Sequence, residues 1–147
     1  MTQDKAIEIL KSDRNVFLTG QPGTGKTYTT NSFTDWLLDN GDIPAITAST
    51  GIAAVHVGGQ TLHAWAGIRG DDSLSDEDMN QILSNDYTRN RICRTHTLII
   101  DEISMISDKL LNVVSKLCMV AKGNARPFGG IKLIVVGDFY QLPPVKG

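Results

Sequence analysis

The sequence has little cysteine and no long apolar run, and each shortage excludes a class of protein. Its two cysteines, Cys93 and Cys118, fit no metal-binding or redox spacing. We therefore expect two reduced, packed thiols in an intracellular protein. No apolar run approaches the roughly 20 residues that a membrane helix needs, and MTQDKAIEIL lacks the charged and then apolar pattern of a signal peptide. No membrane partner is expected.

An excess of basic residues is also missing. The net charge is −2 and the pI about 5.8, so no global positive field indicates a nucleic-acid partner, although a local groove can still be positive. The chain has 147 residues, of which 41% are hydrophobic and 20% charged. This length and composition predict one soluble domain with a substantial core, and no repeat or low-complexity linker divides it.

Short β-rich runs alternate with helical patterns along the chain. The runs are 16–18, 45–48, 98–100 and 133–136. They do not alternate apolar with polar residues, which indicates strands buried on both faces of a parallel sheet. Helices are predicted over about 3–12, over 26–39 before Asn40-Gly41, and over 108–122 between a Ser107 cap and Gly123. The pattern predicts an α/β, doubly wound parallel sheet with helices on both faces.

Two charged stretches each admit a structural and a functional interpretation. The segment 71–78, DDSLSDED, is either an acidic interaction patch or a loop and helix start, with Ser75 and Asp78 forming a capping box. Arg89, Arg91 and Arg94 form either a solvated basic face or a DNA site.

The strongest signal follows the first strand. It is the pattern G-x-x-x-x-G-K-[ST], with a strand before it and a helix after it, and a surface Gly-rich turn is the alternative. The glycines let successive backbone N–H groups face one anion, and the helix adds its positive end. Lys26 would reach the β- and γ-phosphates, and the Thr27 hydroxyl would hold Mg²⁺. The residues are Gly20, Gln21, Pro22, Gly23, Thr24, Gly25, Lys26 and Thr27.

An acidic pair follows the strand 98–100, which we expect to neighbour the strand before the phosphate loop. Asp101 would hold Mg²⁺ through water, and Glu102 would orient and deprotonate the attacking water. The alternative is that both carboxylates merely cap the helix that follows. Together with the phosphate loop, the pair indicates hydrolysis of a nucleotide rather than binding alone.

The remaining motifs narrow the class. In order, GQPGTGKT, TASTGIAA, GGQTLHAWAGI, LIIDEISM and GDFYQLPPV resemble the Pif (petite integration frequency) family of superfamily-one DNA helicases, relatives of RecD. The resemblance covers essentially the whole chain. It implies an ATP-driven motor that moves 5′ to 3′ on single-stranded DNA and unwinds duplexes, DNA–RNA hybrids and G-quadruplexes. It also implies that 1–147 is the first of two RecA-like lobes, a fragment without the second lobe and its trans-acting arginines.

The resemblance assigns site residues one by one. Thr50 and Gly51 match one DNA-backbone motif, and the segment Thr61, Leu62 and His63 matches the next. His63 and Trp65 either border DNA, where Trp is a good stacking platform, or pack under a loop. Gln3 matches a position where such helicases keep a glutamine that reads adenine, although it is also consistent with a solvated residue.

GDFYQLPPV at 137–145 completes the predicted site. The fourth strand would bring Gly137 and Asp138 to the edge of the phosphate loop, and Gln141 would lie near the γ-phosphate and reach the other lobe. Pro143-Pro144 would stiffen the exit toward that lobe. Phe139 and Tyr140 either pack at the strand tip or stack on DNA.

These expectations define a protein that uses ATP and Mg²⁺. The resemblance further implies roles in DNA repair, recombination and telomere maintenance, and a monomer. It implies a location in the cytoplasm or nucleoid of a bacterium or virus, or in a eukaryotic nucleus or mitochondrion. Two alternatives stay open: a non-helicase P-loop ATPase such as an AAA-type switch, and an isolated lobe that binds ATP and DNA without working as an enzyme. An AAA-type protein would place a polar sensor where this chain has Gly-Asp-Phe-Tyr-Gln.

Overall fold

The computed structural model describes residues 3–20, 26–70 and 74–138, with the backbone alone at positions 3, 20, 26, 27 and 138. The strands are β1 (Val16–Gly20), β2 (Ala45–Ala48), β3 (Gln60–Thr61), β4 (Thr97–Asp101) and β5 (Lys132–Asp138). The helices are α1 (Gln3–Leu10), α2 (Lys26–Asp39), α3 (Gly51–Val57), α4 (Leu62–Ala66), α5 (Asp76–Leu83), α6 (Asp86–Arg94) and α7 (Asp108–Lys122), with 3₁₀ turns at Ile103–Met105 and Pro127–Gly130. None of the described helices is long and apolar enough to cross a membrane.

The strands form one parallel sheet in the order β1-β5-β4-β2-β3. The expectation that the acidic strand β4 neighbours β1 is wrong, because β5 lies between them. Parallel strands nevertheless end at a common edge, and the register shows it: Gly20 pairs with Asp138, and Ala48 pairs with both Asp101 and Thr61. The edge that we predicted for the site therefore exists, with β5 between the strand of the phosphate-loop motif and the acidic strand.

Strands β4 and β5 are buried on both faces, as their unbroken apolar runs indicate. Strand β1 lies at the edge of the sheet with Phe17 48% exposed and Thr19 exposed, so the prediction of burial on both faces is wrong for the run 16–18. On one face, Leu98, Ile100 and Leu133 join a cluster with α4 to α7. On the other face, Ile99 and Ile134 pack with residues of α1 and α2. Helices therefore cover both faces, and the predicted doubly wound α/β fold is confirmed.

Helix boundaries follow the local signals. Helices α2 and α7 have the predicted limits; Ser107 accepts from the Leu110 N–H at 3.1 Å, and Gly123 ends α7 with a φ of 62°. Helix α1 stops at Leu10, earlier than predicted. The Lys132 ammonium donates to the backbone carbonyls of Leu10 and Ser12, so the chain is held at that point against the start of β5.

The acidic stretch 71–78 contains the start of a helix, as one of its two interpretations predicts. Ser75 and Asp78 form the capping box, and the hydrogen bonds from the Ser75 backbone N–H and then from its hydroxyl lower the pKa of the Asp78 carboxyl. The part of this stretch at 71–73 lies outside the described residues.

Both cysteines are free thiols. Cys118 is buried, as predicted, and burial raises the pKa of its thiol to about 12. Cys93 is exposed, so the prediction of a packed thiol is wrong for this residue.

Candidate functional site

The phosphate-loop motif begins at the end of β1 and ends at the start of α2. Gly20 is the last residue of β1, and Lys26 and Thr27 are the first two of α2. A strand and a helix therefore flank the motif as the phosphate-loop pattern requires. Pro22, Gly23, Thr24 and Gly25 lie outside the described residues, as do Phe139, Tyr140 and Gln141. Gln3 is the first residue of α1.

The acidic pair occupies the same edge in an unusual conformation. Asp101 ends β4, and its Oδ1 accepts a 2.8 Å hydrogen bond from the Glu102 backbone N–H. Glu102 is left-handed, with a φ of 54° and a ψ of 49°, and its exposed side chain caps nothing. A left-handed residue other than glycine costs about 1–2 kcal/mol. The capping alternative is not supported for Glu102, and strain at a carboxylate on the edge where the phosphate-loop motif begins favours a functional role.

The turn that follows the acidic pair packs closely against β5. A Cβ added to Gly137 would lie 2.9 Å from Cγ2 of Ile103, the residue after Glu102. Only a residue without a side chain lets the turn after β4 approach β5 this closely. The predicted strand 133–136 extends through Gly137, and a glycine within a strand is a sequence signal for such a close approach of the backbone.

Asp101 also lines a cavity of about 340 Å³ between α2 and α3. Thr30, Thr34 and His56 contribute polar groups, whereas Ile46, Ile99 and Val136 of the sheet are apolar. Within the described part of the chain, no three His, Cys, Asp or Glu side chains are grouped as for a metal ion. The Asp101 carboxylate at this edge suits Mg²⁺, which is usually held by one or two carboxylates together with substrate phosphates.

The first predicted DNA motif starts α3. Thr50 is its N-cap, and Oγ1 accepts a 3.2 Å hydrogen bond from the Ala53 N–H. The hydroxyl proton remains able to donate, because a threonine hydroxyl both accepts and donates. A Cβ on Gly51 would have no described atom within 4 Å, and its φ is not in the left-handed range. Neither packing nor strain among the described residues requires glycine there, which is consistent with close approach by a ligand.

The second motif starts α4 in the same way. Thr61 is the N-cap, and its Oγ1 accepts from the Ala64 N–H at 3.1 Å. Leu62 is buried in the core. His63 is half-buried and lines a cavity of about 930 Å³ together with Thr61 and Arg69. Trp65 is only 1% exposed and belongs to the main core, so the packing interpretation is right for Trp65 and the stacking one is wrong.

The arginine cluster divides into three different roles. Arg89 pairs with Asp86 at 2.6 Å and donates to the Leu83 carbonyl. Arg91 donates through Nε to the Trp65 carbonyl at 3.0 Å and through Nη2 to the Ala64 carbonyl at 3.2 Å. Arg94 is exposed. Arg91 is thus a structural hydrogen-bond donor, which neither interpretation of the cluster included. Its two acceptors lie 26 and 27 positions earlier in the chain, so no local sequence pattern indicates these bonds.

The fold and this edge define a protein of the RecA-like P-loop class: a parallel sheet with a phosphate-loop motif at the end of β1, an acidic pair at the end of β4 and helices on both faces. Residues 3–147 match the family described as PIF1-like helicase. The chain belongs to that family, which confirms the resemblance drawn from its motifs.

Individual relatives agree with this assignment. The ATP-dependent DNA helicase Pif1 of Psychrobacter sp. is 47% identical over 145 residues, which cover 99% of this chain and 22% of the relative. The crystal structure of Pif1 helicase from Candida albicans superposes with a TM-score of 0.86 at 40% identity, covering 98% of this chain and 33% of that one. Pif1 helicase from Bacteroides in complex with ADP-AlF3 and single-stranded DNA gives a TM-score of 0.73 at 32% identity, covering 99% and 33%.

The chain therefore spans about a fifth of the length of this curated relative and a third of each of these solved chains. The matched relatives are helicases, and the matched part is a motor domain of that kind. What a complete protein of this family does is a separate question from what this segment contains.

Proposed function

We propose that residues 1–147 are the N-terminal, ATP-binding and ATP-hydrolysing lobe of a 5′-to-3′ DNA helicase, whose second RecA-like lobe belongs to the parent protein. The observation that carries the proposal is the register of the sheet. Gly20, Asp138 and Asp101 end three adjacent strands at one edge, and Thr61 ends β3 at the same edge. Nucleotide and DNA residues would thus share one edge of one rigid sheet, which is the arrangement that a coupled motor needs.

On this proposal, the backbone of 20–25 cradles the phosphates and Lys26 neutralises their charge. Thr27 and Asp101 would hold Mg²⁺, which offsets negative charge on the phosphates. Glu102 would take the proton of the attacking water, and its exposed carboxylate is free to do so. Gln3 would contact the adenine, and Gln141 would contact the γ-phosphate and the other lobe.

The DNA path would cross the starts of α3 and α4. Thr50 and Thr61 accept from their own helices, which fixes the hydroxyl oxygens while leaving each proton to donate to a phosphate. Gly51 would let the backbone approach the strand closely, and His63 would border it. The parent would unwind duplex or G-quadruplex DNA as a monomer in repair, recombination or telomere maintenance. Its compartment would be the cytoplasm or nucleoid in a bacterium or virus, and the nucleus or mitochondrion in a eukaryote.

The isolated lobe should bind Mg·ATP but turn it over very slowly. Arginines supplied in trans are worth roughly 10³–10⁵ in rate in related phosphoryl transfers. We expect the two-lobed parent, with DNA, to exceed residues 1–147 by about that factor, and the fragment to unwind nothing. Steady-state phosphate release from both proteins measures the ratio of their turnover rates. Rapid DNA-stimulated turnover by a verified monomer of 1–147 would contradict the proposal that the second lobe supplies arginines needed for hydrolysis.

Gly51→Ala tests the DNA path without disturbing the fold. The new methyl group meets no described atom, and alanine is the better helix former by about 1 kcal/mol, so stability should hold or rise. Affinity for single-stranded DNA should fall several-fold, because the methyl group would occupy the space of a phosphate. Fluorescence anisotropy with a labelled oligonucleotide and urea unfolding measure the two effects. Equal DNA affinity for both proteins would place the strand elsewhere.

Gln141→Ala in the two-lobed parent tests coupling between nucleotide and DNA. An uncharged amide adds little to ground-state affinity, so the Kd for ATP should stay within about threefold. DNA-stimulated turnover and unwinding should both be largely lost, because the amide would position the lobes as they close. Normal unwinding by this variant would mean that Gln141 is only part of the turn before the prolines.

A further inference from the structure

We propose that Arg91 is a positioning residue for the DNA-contacting segment 61–63, because its guanidinium holds the carbonyl end of α4 in place. The inference rests on the proposed function, since it assumes that Thr61 and His63 border DNA. Arg91 lies on α6, far from these residues in sequence, and no motif includes it.

Helix α4 is too short to be stable alone. It has five residues, whereas isolated helices below about 12–15 residues are marginal in water. Thr61 fixes its first turn, and the N–H groups of Gly67 and Ile68 satisfy the carbonyls of Ala64 and His63 at 3.3 and 2.9 Å. The geometry of His63 therefore depends on what holds the last carbonyls of this helix.

Arg91 supplies that support with a matched set of donors. Nε donates to the Trp65 carbonyl at 3.0 Å, and Nη2 donates to the Ala64 carbonyl at 3.2 Å and reaches Thr88 Oγ1 at 3.5 Å. A positive charge at the carbonyl end of a helix is also favourable. Lysine has one ammonium in place of the planar fork, so it cannot reproduce this pair of contacts.

Core packing also holds α4, since Leu62, Trp65 and Ala66 are buried in the main core. It leaves the carbonyl of Trp65 dependent on the bond from Arg91, and that of Ala64 on the bonds from Arg91 and Gly67. Arg91 lines two cavities, of about 690 Å³ on one side and 930 Å³ on the other, and the second also contains Thr61 and His63. Helix α6 also packs closely against Gly67, where an added Cβ would lie 3.0 Å from Thr88 Cγ2. Because open space flanks the guanidinium, its removal should loosen α4 rather than allow neighbouring side chains to refill the gap.

The test compares Arg91→Met with Arg94→Met in residues 1–147. Arg94 is one turn further along the same exposed helix end, so both variants lose one positive charge. For Arg91→Met we expect amide exchange at Gly67 and Ile68 to accelerate about tenfold, and affinity for a labelled single-stranded oligonucleotide to fall about tenfold. The Kd for Mg·ATP should stay within twofold. Arg94→Met should leave amide exchange at α4 unchanged and DNA affinity within twofold.

The salt dependence separates positioning from direct contact. A lost phosphate contact lowers the slope of log K against log salt by about 0.7 for single-stranded DNA, whereas a misplaced segment weakens binding with little change of slope. Weaker DNA binding with unchanged exchange at α4 and a reduced slope would show that Arg91 binds DNA directly and would overturn the inference. Unchanged DNA affinity would overturn it as well.

Two further variants protect the conclusion. If Arg91→Met does not fold, Arg91→Lys keeps the charge but not the fork, and it should still show faster exchange at α4 and weaker DNA binding. Wild-type behaviour of Arg91→Lys would overturn the role of the fork. His63→Ala separates this inference from the proposed function: if that variant binds DNA normally, the DNA path is wrong, whatever Arg91 does.

Discussion

Replacing Glu102 by glutamine in the two-lobed parent is expected to lower ATP turnover by roughly 10²–10⁴-fold while ATP remains bound. Glutamine keeps the shape of the side chain and can still hydrogen-bond, but it cannot accept a proton from water. The left-handed backbone at Glu102 should tolerate the change, because the side chain is exposed and caps no helix. The loss should therefore appear in kcat rather than in the Kd for ATP.

Single-turnover hydrolysis and nucleotide titration, measured side by side, give the two quantities. Glu77→Gln is the matched control, since Glu77 is an exposed glutamate in the first turn of α5 and belongs to no proposed site. It should turn over ATP normally. Turnover of Glu102→Gln within tenfold of the wild type would remove Glu102 from the role of general base and leave its strained backbone without an explanation.

Replacing Lys26 by alanine should weaken nucleotide binding by roughly 10²-fold or more, because hydrogen bonds to charged groups contribute about 1.5–3 kcal/mol each and Lys26 would make them to two phosphates. The effect should already be present in residues 1–147, since the whole phosphate cradle is local to 20–27. Binding of Mg·ATP should become too weak for calorimetry, while unfolding by urea should change little.

The control is Lys116→Ala, which removes the same charge from an exposed position on α7. It should bind Mg·ATP like the wild type. Unchanged nucleotide affinity in Lys26→Ala would refute the assignment of the phosphate loop, and with it the proposal that this lobe drives a motor.

The sequence predicts at which edge of the sheet the strands end, but it does not predict the order of the strands. The ends of β1, β4 and β5 could be placed at one edge in advance, because apolar runs separated by helices imply parallel strands whose carboxyl ends coincide. The position of β5 between β1 and β4 could not be predicted, because all three runs are apolar and any of them could lie between the other two. Strand order is decided by helix packing on the two faces.

Short elements were missed for a related reason. Strand β3 has two residues and α4 has five, too few for either a period of two or a period of 3.6 to be visible. Their existence depends on contacts made elsewhere: β3 on pairing with Thr47 and Ala48, and α4 on Arg91 and on burial of Trp65. Helices α2 and α7 had clear caps and enough turns, so their limits were predicted correctly.

The sequence by itself determined the class of the fold and predicted the chemistry, because phosphate-loop motifs, strand-end carboxylates, helix caps and hydrophobic periods are patterns of neighbouring residues. It also determined membership in the PIF1-like helicase family, since the motifs occur in order along one chain. Only the tertiary structure decided the strand order, the burial of Trp65, the left-handed turn at Glu102 against Gly137, and the support of α4 by Arg91. The strand order, the two packing contacts and the hydrogen bonds to α4 join residues distant in sequence, so packing and hydrogen-bond satisfaction across the folded chain select them.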